Sequence, residues 1–465
     1  MSAPDAVTRA PSYNRGMNRR DFSKSLALFA LSPTLKAAAQ TAAPLRVNVE
    51  RLRRRLEDLS VFGRPAGGSF ADGVSRVGFS DADVEARAWL QREMRAIGLE
   101  PKVDAAGNIS ALRPGTVSGL KPILFGSHID SVRGGGNFDG DVGSMSSLEV
   151  MATLIEKGVK TRHPLEYVVW AAEESNYGSG LHGSRMAAGL LEEGEFDRVQ
   201  NAVSKRDAMK KLGGDASRIA EARRAPGSFR AYLELHIEQG GKLDRAQIPI
   251  GVVEGIVTID DYDVHVRGFA NHAGTTPMAE RRDALAAAAQ IVLAVQQIAN
   301  SEAGAQVGTV GQLALKPNAP NVVPGDVVMT VEFRDLDGLK VARLGAALKQ
   351  RCGEIAKATS TEVEVAFTSR HEGARATPAI QAIIERAAAS LSLKTMRLPS
   401  GAGHDAQAIA TLGPMGMIFV PSVSGISHSP RELSRWNEIA QGADVLMATI
   451  LDLDTTASTL EAWAQ

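Results

Sequence analysis

The sequence predicts an α/β protein built on a mostly parallel sheet with helices on both faces, into which a smaller α+β unit is inserted. Three observations predict it. From Pro44 onward, helical patterns such as "DADVEARAWLQREMRAIG" alternate with strand-like runs such as "LEYVVWAA" and "RAYLELHIE", the alternation that a helix-covered parallel sheet produces. Between about residues 252 and 370 the order becomes strand, helix, strand, strand, helix, strand, which is that of a small ferredoxin-like unit. The first pattern then resumes with "ATPAIQAIIERAAASL" and "MGMIFVPS", so residues 44–251 and 371–465 are expected to form one domain around residues 252–370.

Length and composition set bounds on function. A chain of 465 residues is long enough for two domains and a large buried core. Its 44% hydrophobic and 23% charged content is that of a soluble globular protein, and a net charge of -1 offers no basic excess for nucleic acid or anionic lipid. The expected partner is a small molecule. The single cysteine, Cys352, excludes an intramolecular disulfide and leaves histidines and carboxylates to build any metal site.

In chain order, the first element stands apart. "NRRDFSK", residues 18–24, is followed by the modest apolar run "SLALFALSPTL" and by "KAAAQTAA", which offers a small-residue cleavage site after Ala39. An arginine pair, an apolar run and an Ala-x-Ala site resemble a twin-arginine export signal, so residues 1–43 are expected to direct the chain to the periplasm. The run is too short to span a bilayer, and no membrane span is expected in the mature form.

Residues 122–125, "PILF", read as a buried strand, and "MSSLEVMATLIEKG" has helical spacing that stops at Gly158. Between them His128 and Asp130 leave the carboxyl end of the strand, and Asp139, in "NFDGD", lies just ahead of the helix. Open α/β sheets place their sites there. Asp130 is expected to orient the His128 imidazole. "YVVWAAEES" reads as a buried strand ending in Glu173 and Glu174, two like charges that are costly unless a cation or a proton keeps them there. One of the two can bind metal while the other faces its water. His236 ends the apolar run "LELHIE", and His428 sits in the polar loop "SGISHSPRE" after "MGMIFVPS". All these positions are strand termini, as a site at the top of one sheet needs. Of the nine histidines, those at 163, 182, 265 and 371 read as core or surface residues. The inserted unit is expected to use the strands "GIVTIDDYDVHVRG", "VGTVGQLALK" and "VVPGDVVMTVEFRD", with helices over "DALAAAAQIVLAVQQIAN" and "DGLKVARLGAALKQRCGEIAKA".

Taken in order, "GSHID", "GGNFDGDVG", "AAEES", "ELHIEQG", "RGFANHAGTTPM", "NVVPGDVVMTVEFRD", "SGAGHDA" and "SGISHSPRE" are similar to the segments of the di-zinc aminoacylase and carboxypeptidase clan. Within it they resemble the branch of N-carbamoyl-L-amino acid hydrolases, beta-alanine synthases and allantoate amidohydrolases. The resemblance runs from about residue 46 to the C-terminus, and "HIEQG" with "HAGTTPM" is specific to the branch. It implies an aminopeptidase-like catalytic domain with an α+β lid that also forms a homodimer interface. It implies two divalent metal ions per chain, zinc foremost, with manganese, cobalt or nickel also acceptable to such ligands. Asp139 would bridge them, one ion being completed by His128 and His236 and the other by Glu174 and His428. Glu173 would be the general base, and substrate contacts would come from Gln239, His272, Asn321 and Arg334, with His272 acting in catalysis across the dimer interface.

The implied reaction is hydrolysis of a carbamoyl or ureido C–N bond in a small carboxylate-bearing substrate, an N-carbamoyl-L-amino acid first of all. Allantoate, or an N-acyl amino acid or peptide, are the alternatives. A non-catalytic two-lobed binding protein would have no need for Glu173, and structural zinc favours closed sites with cysteine ligands. One departure is plain. The branch follows its paired glutamates with Gly, then a residue before Arg-Phe, whereas this chain reads "EESNYGSGLHGSR", a change that bears on the substrate more than on the metal chemistry.

Overall fold

The computed structural model of the protein describes residues 45–174 and 176–456. The expected signal segment, residues 1–43, lies outside them. Among the described residues no helix is long and apolar enough to cross a membrane. The first stretch of chain lays down α1 (Val49–Leu59), α2 (Asp81–Ala96), β1 (Ile109–Arg113), β2 (Ile123–His128), α3 (Asp141–Glu156), β3 (Leu165–Trp170), β4 (Ala231–Ile237) and β5 (Ile250–Ile256). The inserted stretch contributes β6 (Thr258–Arg267), α4 (Ala284–Ala299), β7 (Val307–Lys316), β8 (Asp326–Asp335), α5 (Gly338–Thr359) and β9 (Glu362–His371). The chain returns with α6 (Pro378–Ser390), β10 (Thr395–Ser400), β11 (Met415–Val420) and α7 (Trp436–Thr455).

At the centre is a nine-stranded sheet in which β1, β3, β2, β4, β11 and β5 are successive neighbours, with β10 also beside β5. The middle four, β3, β2, β4 and β11, are parallel, while β1 and β5 join them antiparallel. The middle strands are apolar runs because both faces are covered. Successive residues go to opposite cores: Ile123 and Phe125 pack with α1, α3 and α7, while Leu124, Val168 and Trp170 pack with Phe229 and Phe419 on the other side. α3 runs through the first core with residues 141–154 all buried. Each fully buried Leu or Met there contributes about 1.5–3 kcal/mol, which pins the amino end of α3, and Asp139 with it.

The second sheet runs β7, β8, β6, β9, all antiparallel. α4 and α5 cover one face of it, enclosing a core of its own that includes Val264, Ile291, Val331, Phe333 and Leu348. Along β8, Val327, Met329, Val331 and Phe333 are buried, so the period of two sends Thr330, Glu332 and Arg334 to the other, less covered face.

Two boundaries differ from expectation. The run expected as one strand over 255–268 is divided at Val257, whose amide donates to the Ser400 carbonyl at 3.1 Å. Residues 252–256 continue the central sheet because β10 pairs with β5 as far as Ile256. The run over 322–335 is also divided: residues 322–323 pair with 271–272, and β8 begins only after Pro324 and Gly325. Proline has no N–H to give the ladder, so the strand cannot pass through it.

Candidate metal centre

The glycine-rich stretch between β2 and α3 folds as it does because side chains stand where its Cβ atoms would be. Gly140 caps α3 with φ +66°, and a Cβ there would lie 2.3 Å from the His128 ring. One at Gly136 would lie 2.2 Å from a Glu432 carboxylate oxygen. This close packing turns Asp139 toward the end of β2, where His128 is the last residue. His236 is next to last in β4, and His428 comes from the loop between β11 and α7.

The paired glutamates are not in a strand. β3 stops at Trp170, Ala172 takes a left-handed φ of +49°, and Glu173 and Glu174 follow on a bend. Their amides both donate to the Asp130 carboxylate, at 3.0 and 3.1 Å. This corrects the expected role of Asp130. Its backbone carbonyl, not its carboxylate, meets His128 Nδ1, at 3.0 Å against 3.7 Å for Oδ1. The bend strips two buried amides of strand partners, each worth about 1–3 kcal/mol if left without an acceptor, and the carboxylate is spent on them. Ala172, Gln239 (φ +55°) and His428 (φ +53°) all hold left-handed backbone without being glycine, strain of the kind that gathers at functional sites.

The five expected metal ligands come together. His128, Asp139 and His236 form one group and Asp139, Glu174 and His428 another, each with potential ligand atoms within 4.8 Å of one another. Asp139 faces both: Oδ1 lies 3.1 Å from His236 Nε2, and Oδ2 lies 3.1 Å from His428 Nε2. Glu174 lies 3.6 Å from the same His428 nitrogen. His128 and His236 each rest Nδ1 on a backbone carbonyl, those of Asp130 and Ile237, at 3.0 Å. That contact places the hydrogen on Nδ1 and leaves Nε2 as the lone pair, which is how a metal-binding imidazole is held. Glu173 belongs to neither group and stands 3.8 Å from His128 Nε2.

The electrostatics of the bare cluster say the same. Burial works against ionisation of Asp139, yet the His236 and His428 imidazoles hold its carboxyl well below the usual range. In return Asp139 raises His236 to about 9 despite burial, and raises His428 to about 9. Burial, with Asp139 next to it, pushes Glu174 up to about 8, and burial beside Glu174 pushes Glu173 well above the carboxylate range. Burial takes His128 down to about 4. Without a cation, protons hold these acids together. The donors fit divalent ions: imidazole and carboxylate, two triads, one shared acid.

A cavity of about 450 Å³ opens over the cluster, lined by Glu173, Glu174, Gln239 and Arg334 among others. Gln239 Nε2 donates to Asp139 Oδ2 at 2.9 Å. Arg334 arrives from β8, donates to both oxygens of Glu332 at 3.0 Å and to the Gly401 carbonyl at 2.8 Å. The wall beside the glutamates is the departing segment, with Ser179, Leu181, Arg185 and Glu192. Behind it a buried Lys205 donates to Ser179 Oγ at 3.1 Å. His272 and Asn321 do not join this cavity. They lie together on the surface of the inserted unit, both exposed, with the Ala273 amide on the Asn321 carbonyl at 2.9 Å. One chain therefore gathers two of the four expected substrate residues. Sequence reasoning also missed Glu432, which holds the Asp139 amide at 3.1 Å; its only signal was its place four residues after His428.

The chain is similar to known proteins over most of its length. The family model described as Peptidase family M20/M25/M40 matches residues 124–452. An N-carbamoyl-L-amino acid amidohydrolase of Geobacillus stearothermophilus is 39% identical over 406 residues, covering 87% of this chain and 98% of that one. One from Paenarthrobacter aurescens is 35% identical over 412 residues, covering 88% and 99%. Among solved structures, an amidase of the hydantoinase/carbamoylase family from Burkholderia multivorans superposes with a TM-score of 0.82 at 33% identity, covering 89% of this chain and all of that one.

Proposed function

Because the chain belongs to peptidase family M20/M25/M40, whose enzymes are metal-dependent, we propose that it is an amidohydrolase cleaving the carbamoyl C–N bond of N-carbamoyl-L-amino acids on two divalent cations. The observation that carries this is the pair of ligand triads sharing Asp139, in a chain whose full-length relatives are named for that reaction. His128, Asp139 and His236 would hold one cation and Asp139, Glu174 and His428 the other. Zinc is foremost, and manganese, cobalt or nickel suit the same donors. When bound, such cations supply Lewis acidity to a ureido carbonyl that two nitrogens make poorly electrophilic, and acidify the attacking water.

The remaining work falls to the chain's own residues. Glu173 takes the proton of the attacking water on a carboxylate oxygen and returns it to the departing nitrogen. Water and substrate thus become the free amino acid and carbamate, which decays to carbon dioxide and ammonia. Arg334 has five N–H hydrogens and spends three on Glu332 and Gly401, leaving two for the substrate carboxylate. Gln239 steadies Asp139 from the cavity side. In this reading the inserted unit is a lid and dimer interface, and His272 and Asn321 serve the cavity of a second copy. Export through residues 1–43 belongs to the same reading and rests on "NRRDFSK".

The test is a screen of metal-loaded protein against N-carbamoyl-L-amino acids, allantoate and N-acetyl amino acids, with released amine measured. Turnover is expected on the first group. A preference for N-acetyl substrates would sink the assignment.

A further inference from the structure

Glu432 is a buried acid that the chemistry above does not use. It is 4% exposed. Its Oε1 accepts the backbone amides of Phe138 at 3.0 Å and Asp139 at 3.1 Å, and its Oε2 accepts the Ser427 hydroxyl at 2.8 Å. Its own amide donates to the Ser429 carbonyl at 2.9 Å, which closes the loop around His428. Gly136 makes room for the carboxylate on the far side. One side chain thus grips the Asp139 turn by two amides and the His428 loop by the hydroxyl next to His428, across 293 positions of sequence.

The two halves of the cluster need that grip unequally. His128 and His236 belong to buried strands, and each has Nδ1 on a carbonyl. Asp139 has further restraints, the Asp141 amide on its carbonyl at 2.7 Å and the Gln239 amide on its carboxylate. His428 has neither kind of support. It sits in a loop with a left-handed backbone and a side chain 51% exposed. Its loop is tied to Asp139 through Glu432 and, at longer range, by the Ser427 hydroxyl, 3.5 Å from Asp139 Oδ2.

We propose that Glu432 is a positioning residue that holds His428 against Asp139 and so assembles the His428 half of the centre without touching a cation. The inference rests on the two-cation reading above. Position matters here and charge does not: a glutamine keeps one carbonyl oxygen for both amides, as Oε1 does now, while an alanine leaves the two amides without that acceptor and the hydroxyl with only its 3.5 Å contact to Asp139 Oδ2.

The test titrates metal-free protein with Zn²⁺ by calorimetry and counts retained ions by elemental analysis, in the wild type and in Glu432→Ala, Glu432→Gln and His428→Ala. The wild type should take two ions, and His428→Ala should identify the ion on its side by losing it. Glu432→Ala should weaken that same ion by about 10- to 100-fold, the usual cost of losing a partner behind the ligands, and leave the other nearly unchanged. Glu432→Gln should restore it. Equal weakening of both ions, wild-type affinities in Glu432→Ala, or a glutamine variant as weak as the alanine one would each overturn the proposal. If Glu432→Ala does not fold, Ser427→Ala removes the hydroxyl that Glu432 holds, together with its longer contact to Asp139, and should weaken the same ion; no change there overturns the proposal equally. A wild type that takes only one ion would instead refute the two-cation reading, and this inference with it.

Discussion

The ends of the central strands and the inserted unit carry residues expected to meet the same substrate, and they are built in opposite ways. At the strand ends all the expected ligands but His428 are buried or braced: His128 and His236 on carbonyls, the backbone of the glutamates on Asp130, Asp139 between two imidazoles. On the inserted unit, His272 and Asn321 are exposed at a separate two-stranded ribbon, and of the expected substrate residues there only Arg334 reaches the cavity, beside Ile259 and His371 of the same sheet. The difference is physical. A cluster of acids and imidazoles must be preorganised against its own repulsion, whereas substrate contacts can form as a lid closes.

If the buried cluster is preorganised around Asp139, its loss should be the most severe. Asp139→Asn should lose both ions and drop turnover to background, a larger effect than that of any other change considered below; elemental analysis that finds two tightly held ions would break the comparison at its root. Glu173→Gln should retain both ions while turnover falls by roughly two to four orders of magnitude, the range for a missing general base. Near-normal rates would move the base elsewhere.

The pH dependence separates the two triads. In the metal-free chain Asp139 raises His236 and His428 to about 9, and burial raises Glu174 to about 8, so at neutral pH each holds a proton that a cation must displace. His128, lowered to about 4, holds none. Below pH 8 affinity should fall with falling pH on both sides, and more steeply on the His428 side, where Glu174 and His428 both give up protons, than on the His236 side, where one imidazole does. Equal slopes in titrations between pH 6 and 8 would contradict this assignment of protons.

The smallest effect belongs to the inserted sheet. Arg334→Lys keeps the charge and loses the two-pronged hydrogen bond, so KM should rise roughly tenfold for carboxylate-bearing substrates, about one hydrogen bond's worth. An amide analogue of the substrate should be nearly indifferent to the substitution. The same loss on acid and amide would mean that Arg334 braces the inserted unit through Glu332 and Gly401 and does not read the carboxylate.

Much of the centre was legible because its residues sit where apolar runs end. His128, Glu174 and His236 follow or close strands whose continuous hydrophobicity comes from burial on both faces, and a polar residue there needs a reason. Glu432 and the carboxylate of Asp130 carried no such mark. Their roles are contacts to backbone amides of other segments, Phe138 and Asp139 in one case and Glu173 and Glu174 in the other, and any residue type can offer an amide.

By itself the sequence determined the α/β class with its mainly parallel sheet and the supply of imidazoles and carboxylates that could hold a metal, because periodicity and residue chemistry are local properties. Tertiary structure alone decided which oxygen of Asp139 faces which imidazole, that the two glutamates stand on a bend, that residues 252–256 stay in the central sheet, and that His272 and Asn321 lie outside this chain's own cavity. Each of these depends on where distant segments meet, and an atom's partner across hundreds of residues is set by packing that no local pattern records.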